Sequence, residues 1–161
     1  MFAVTLLLFV LASILSATAF LIKSGYAIGN YVSMEGNSRF TTECLYKDLI
    51  ATVKVVTAEP AILEMTVRDP DYNENTVRYE YKSDRGELSR TLDSETPKIL
   101  AHNVSSFAFS YYTSKKDEKA SRILDVKNVE FLMGMTDSVL GNEQQRELTS
   151  ARYVLRNRAT D

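Results

Sequence analysis

The sequence contains few of the residues that most often carry out chemistry. Its 161 residues include one cysteine, one histidine and no tryptophan. The cysteine, Cys44, cannot form an internal disulfide or a cysteine metal cluster, and we interpret it as a small core residue. The histidine, His102, has no second histidine for a zinc site and no acidic neighbour in sequence for a catalytic dyad. We therefore expect His102 to lie in a loop or at the end of a strand.

An excess of charge of one sign is also lacking. The chain has 19 basic and 21 acidic residues and a formal net charge of −2. Binding to nucleic acid depends on a positive field, so we expect no nucleic-acid partner. The chain also contains no glycine-rich phosphate loop, no Gly-x-Ser-x-Gly turn and no Cys-x-x-Cys pair. These absences predict no catalytic, cofactor or metal site and no small-molecule substrate, so we expect a protein that is not an enzyme.

Two short patterns are compatible with a site but do not predict one. Asp69, Asp71 and Glu74 resemble part of a calcium loop, yet the segment contains Pro70 and lacks the central glycine and spaced glutamate of an EF-hand. The segment 103–105, Asn-Val-Ser, is formally a glycosylation sequon, and this pattern often arises by chance. We assign neither segment a function.

The first 22 residues are an apolar run without charge, glycine or proline. As a helix, the run would be about 33 Å long, close to the thickness of a bilayer's hydrocarbon core. A secretory signal peptide is the main competitor, because residues 17–19, Ala-Thr-Ala, resemble a cleavage site. A signal peptide begins with basic residues, however, and no Lys or Arg precedes this run. The apolar run also continues past the possible cleavage site, as Phe-Leu-Ile at residues 20–22. We therefore expect a membrane helix, and we expect the given sequence to begin within that helix rather than before it.

The helical pattern continues beyond the apolar run, because no clear break occurs before Pro60. We expect an amphipathic continuation over residues 23–58, with the helix itself reaching about Val56. One face carries charges of alternating sign at a spacing that favours salt bridges, and we expect it to be solvated: Glu35, Arg39, Glu43 and Lys47. An apolar stripe on the other side is suited to packing on a sheet: Phe40, Cys44, Leu45, Leu49, Val53 and Val56.

From residue 59 onward the hydrophobic period changes from helical to two, which predicts an antiparallel sheet domain over 59–161. The expected strands cover residues 61–67, 77–82, a partner strand after a hairpin at Gly86, 104–113, 129–135 and 151–155. Residues 136–146 are polar and are predicted to form a loop. The sequence therefore predicts an α+β fold in which one long N-terminal helix, apolar and then amphipathic, packs on a small antiparallel β-sheet.

This organisation resembles that of the type IV pilins and pseudopilins. The opening Met-Phe-Ala-Val-Thr-Leu is similar to the helix just downstream of the prepilin cleavage motif. Several short segments are also similar to minor pseudopilins that resemble the J component of type II secretion: 23–25, 34–39, 48–49, 77–79, 86–90, 103–104 and 153–157. The family's cleavage motif and its glutamate would both lie before Met1. We therefore expect Met1 to be an internal methionine of a longer reading frame.

The resemblance implies a structural role. A minor pilin or pseudopilin is held in the bacterial inner membrane by one helix, with its C-terminal domain in the periplasm. It is then assembled with other pilin subunits, through that helix, into a type II secretion pseudopilus or a type IV pilus-like filament. The alternative is a signal-anchored periplasmic binding or interaction domain that does not polymerise, and a secreted hydrolase is a more distant third.

Overall fold

The computed structural model describes residues 2–115, 118–139, 142–149 and 152–155, and for 137–139 and 142–149 it describes the backbone alone. The chain begins with one helix, α1, over Phe2–Ala51. This helix contains no proline, and its first part is rich in leucine and alanine, which favour helix. It is followed directly by strand β1, Thr52–Ala58.

The predicted helical continuation to residue 58 is therefore wrong at its end. The segment from residue 52 to residue 57 contains five β-branched residues, which lose side-chain freedom in a helix and fit a strand. Pairing with the next strand, β2 (Ile62–Arg68), also provides the backbone hydrogen bonds that the helix would have supplied. The local helical pattern did not reveal that such a partner was available.

All the described strand pairs are antiparallel, which confirms the predicted α+β class. The strands form two sheets rather than the single sheet expected. The first has the order β1-β2-β3-β4-β5, with β3 at Glu74–Lys82, β4 at Glu87–Leu92 and β5 at Lys98–Ala101. The second has the order β6-β7-β8, and β9 also pairs with β7. Its strands are β6 at Val104–Tyr112, β7 at Asn128–Val139, β8 at Asn142–Thr149 and β9 at Tyr153–Val154.

The predicted loop over 136–146 is wrong, because β7 continues to Val139 and β8 begins at Asn142. Thr136 lies opposite Gln145 in this pairing. A polar composition suits β8 because the strand lies last in the sheet order, and backbone pairing does not require apolar side chains. The strand predicted over 151–155 is present as the short β9, and Ala151 lies outside the described residues.

The core lies between the second part of α1 and the inner faces of the two sheets. The alternation predicted around Phe131 is confirmed, with Val129, Phe131, Met133 and Met135 all buried. The helix contributes a buried stripe that differs from the predicted one: Met34, Ser38, Thr41, Leu45 and Leu49. Leu45 and Leu49 were expected there, whereas Phe40 and Val56 are exposed. Hydropathy gave no reason to place the hydroxyl residues on the packed face.

The hairpin between β3 and β4 has its glycine where the sequence predicted. Gly86 has a φ of +60°, a conformation that other residues adopt at a cost. A Cβ atom at this position would lie 3.1 Å from the carbonyl oxygen of Val104. The glycine therefore allows both the turn and the close approach of the segment that begins β6.

Candidate functional site

The most distinctive surface is the exposed first part of α1, over residues 2–33, where no side chain is buried. Within residues 2–22, the exposed fraction of the large apolar side chains ranges from 47% at Leu11 to 88% at Phe2. Such an extended apolar surface is unfavourable in water and indicates contact with lipid or with other apolar surfaces. By length and composition, α1 is apolar enough to cross a membrane.

The exposed surface continues beyond the end of the apolar run. Lys23 is the only charged residue between positions 2 and 34, and Tyr26 and Ile28 on the following turn are more than half exposed. Gly25 and Gly29 have open space where a Cβ would be. An exposed helical surface with a single charged residue therefore extends to the point where α1 meets the sheets.

A cluster of three polar side chains joins the second part of α1 to the first sheet. Asp48 accepts hydrogen bonds from Arg90, at 2.7 Å from Nε to Oδ2 and 3.1 Å from Nη2 to Oδ1. The Tyr79 hydroxyl donates a third hydrogen bond to Oδ2 of Asp48. The ion pair is largely buried, with 14% of the Asp48 side chain and 24% of the Arg90 side chain exposed. We call these three residues the polar joint.

The polar joint raises the pKa of Tyr79 and that of Arg90. Burial, together with the Asp48 carboxylate, raises the pKa of the Tyr79 hydroxyl far above its usual value. The hydrogen bonds to Asp48 also raise the pKa of the Arg90 guanidinium, which is charged at neutral pH in any case. The sequence could not identify this cluster, because Asp48 is 31 residues from Tyr79 and 42 residues from Arg90.

The charged face of α1 is only partly as predicted. Glu43 and Lys47 form the expected ion pair at 2.8 Å, and both are largely exposed. The hydrogen bond from Lys47 lowers the pKa of Glu43. Glu35 is half-buried rather than fully solvated. A cleft of about 450 Å³ lies along this face, between the helix and β9.

The two single-copy residues, Cys44 and His102, lie in different surroundings. Cys44 is a free, half-buried thiol whose pKa is raised by burial, which disfavours the reactive thiolate. His102 follows β5 in an exposed turn, as expected. Its Nδ1 lies 3.5 Å from Oε1 of Glu87, a contact that sequence neighbours could not reveal.

The acidic segment after β2 uses its carboxylates to stabilise a turn. Asp69 accepts hydrogen bonds from the backbone and side chain of Asn73, at 2.8 and 3.2 Å, and the backbone bond lowers its pKa. Glu74 pairs with Arg68 at 2.8 Å. In the described residues, no group of three or more His, Cys, Asp or Glu is placed to hold a metal ion. Asn103 of the sequon lies in an exposed turn with a φ of +57°.

A long apolar N-terminal helix that packs through its second part on antiparallel sheets is a pilin-like architecture. This agrees with the arrangement that the sequence resemblance implied. Comparison with protein-family models and with curated protein sequences finds no match. The architecture thus rests on the structure alone.

Proposed function

We propose that the protein is a structural subunit, a minor pilin or pseudopilin, of a type II secretion pseudopilus or a type IV pilus-like filament. The observation that carries the proposal is the division of α1 into an exposed first part and a packed second part. The large apolar residues at positions 2–22 are 47–88% exposed, whereas the second part of the helix is packed on the sheets. A subunit that moves from lipid to a filament needs such a helix, because the same apolar surface suits both environments.

The proposed location follows from the same division. Residues 2–22 would cross the bacterial inner membrane once and hold the subunit there before assembly. The sheet domain would lie in the periplasm, and other pilin-like subunits would be the partners of the helix. Small residues among the large apolar ones would let neighbouring helices approach closely, including Ala12, Ser16 and Ala19. No catalytic step is part of this role.

A crosslinking experiment tests the proposal. A photoreactive amino acid is placed at Leu11 on the exposed helix, and at Tyr72 as a matched control that is 81% exposed on a loop of the sheet domain. After illumination of native cells, we expect crosslinks from position 11 to other pilin-like subunits in a sheared filament fraction. The control position should give far fewer of these products.

The other result would support the anchored-domain alternative. If position 11 crosslinks only to lipid, and the protein stays monomeric in the membrane fraction, the subunit proposal is wrong. A binding domain anchored by α1 would then explain the exposed helix, and the cleft beside β9 would be the first place to look for its ligand.

A further inference from the structure

The direction of α1 is determined by a short part of its length. All its buried side chains lie between Met34 and Leu49, and the helix continues from there to Phe2 with no buried side chain. At about 1.5 Å per residue, the projecting part is about 48 Å long. A tilt of about 10° at the packed part would move the far end by about 8 Å, which is close to the distance of about 8 to 10 Å between the axes of packed helices.

The apolar contacts of this packed part specify direction weakly. Hydrophobic contact is not directional, and one of the three buried apolar side chains is the flexible Met34. The other two buried residues, Ser38 and Thr41, have hydroxyl groups without a hydrogen-bond partner in the described structure. Neither hydroxyl therefore fixes the helix through a directional bond.

The polar joint has the directional geometry that the apolar contacts lack. The planar guanidinium of Arg90 holds the Asp48 carboxylate through two bonds, which sets both distance and angle. The bond from Tyr79 restricts rotation of the same carboxylate. Because Arg90 lies on β4 and Tyr79 on β3, one helical side chain is fixed to two strands of the sheet.

The position of Asp48 is unfavourable for the helix itself. It lies in the last turn of α1, where the helix dipole disfavours a negative charge. Burial of an ion pair also costs desolvation energy that offsets much of the attraction. We propose that the polar joint is a positioning device, in which Asp48, Tyr79 and Arg90 fix the direction of the projecting helix rather than add net stability. The proposal concerns the shape of the subunit and does not depend on whether the subunit polymerises.

Distance measurements on the full chain in detergent micelles test this proposal. Spin labels are placed at Ser16→Cys on the projecting helix and Ser94→Cys on the sheet domain, in a Cys44→Ala background. Pulsed electron paramagnetic resonance then compares the parent with a variant that combines Asp48→Leu, Tyr79→Phe and Arg90→Met. We expect the variant to keep a similar thermal midpoint, while its distance distribution broadens or shifts by about 5 Å. The shift follows from the same tilt of about 10°, acting over the helix of about 27 Å between the label at residue 16 and the packed part.

Two further variants distinguish an effect on the direction of the helix from an effect on the stability of the fold. Asp48→Asn keeps the size of the side chain but removes its charge, and we expect a smaller broadening. Leu45→Ala removes buried apolar volume and leaves all three residues of the polar joint in place, so it should lower the thermal midpoint without changing the distance distribution. The proposal is overturned if Asp48→Asn and the triple variant both retain the parent distribution. It is equally overturned if Leu45→Ala broadens the distribution as much as they do.

Discussion

At the scale of single residues, the structure gives roles to side chains that the sequence left unremarkable. Asp48, Tyr79 and Arg90 are common residue types far apart in the chain, and the fold brings them within hydrogen-bond distance. The residues that attracted attention as rare types are instead a half-buried thiol and an exposed histidine in a turn. Counting rare residue types showed which kinds of site the sequence does not predict. It could not find the polar joint, because that cluster forms only through tertiary contacts between common residue types.

Arg90→Met should destabilise the protein by about 3 kcal/mol, at the lower end for a broken buried ion pair because the pair is partly exposed. The substitution leaves the Asp48 carboxylate largely buried, without its cation, and next to the negative end of the helix dipole. Thermal unfolding in detergent micelles measures the change. As a control, Lys47→Met breaks the exposed pair with Glu43 and should cost less than about 0.5 kcal/mol. Equal losses in the two variants would contradict this account of the joint.

Tyr79 should make the fold sensitive to alkaline pH. Its pKa is raised by burial, so its contribution to stability is complete below the pKa of about 10 in the unfolded chain and is lost as the pH rises above that value. Tyr79→Phe should be less stable than the parent at neutral pH, because it loses the bond to Asp48. Its stability should fall less steeply above pH 10 or so. Unfolding midpoints of the parent and the variant, measured from neutral to alkaline pH, give the dependence of stability on pH for each protein. If stability falls equally steeply with pH in both, Tyr79 does not cause the alkaline sensitivity.

At the scale of elements, α1 contains two surfaces within one continuous helix. The first part has no packed face, and the second part packs through a narrow stripe that includes two hydroxyl residues. Its end at Ala51 coincides with the start of a run of β-branched residues that pairs, as β1, with β2. The boundary between exposed and packed helix is therefore a tertiary feature.

Leu11→Arg should prevent stable membrane insertion, on the proposed location of residues 2–22. A charge near the bilayer centre costs about 2.5 to 3.5 kcal/mol on insertion scales. Gly25→Arg is a matched control, because this position follows the apolar run and has open space for a side chain. Carbonate extraction of membranes should release the Leu11 variant and retain the Gly25 variant. Retention of both would place the membrane-spanning part elsewhere on α1.

Two glycine-to-alanine substitutions should change stability in opposite directions. Gly86→Ala should destabilise the fold by about 1 to 2 kcal/mol, because alanine would adopt a positive φ and its Cβ would press on the backbone at Val104. Gly29→Ala should favour the helix by about 1 kcal/mol, since nothing surrounds the position in the described structure. Hydrogen exchange of the β3–β4 hairpin and of α1 would report each effect locally. A loss of protection in α1 on the second substitution would contradict the prediction.

At the scale of the whole molecule, a two-sheet domain carries a helix that projects well beyond it. The packed part must support a long arm, so the directional contacts of the polar joint have consequences far from the core. The proposed roles in membrane storage and filament assembly both depend on this shape, because the exposed surface is presented at a distance from the sheets.

The sequence by itself determined the long helix, its apolar first part, the change to a period of two and the glycine hairpin, because each depends on local composition or periodicity. The identity of the buried helix stripe, the pairing of β8 and the division into two sheets were decided only by tertiary structure. The partners of Asp48 are distant in the chain, since Tyr79 and Arg90 follow it by 31 and 42 residues. The partners of β1 and β8 are the neighbouring strands β2 and β7, but the local pattern of each segment does not contain that pairing. Local patterns show what a segment can form, whereas the partner that satisfies its backbone and charges is known only in the folded chain.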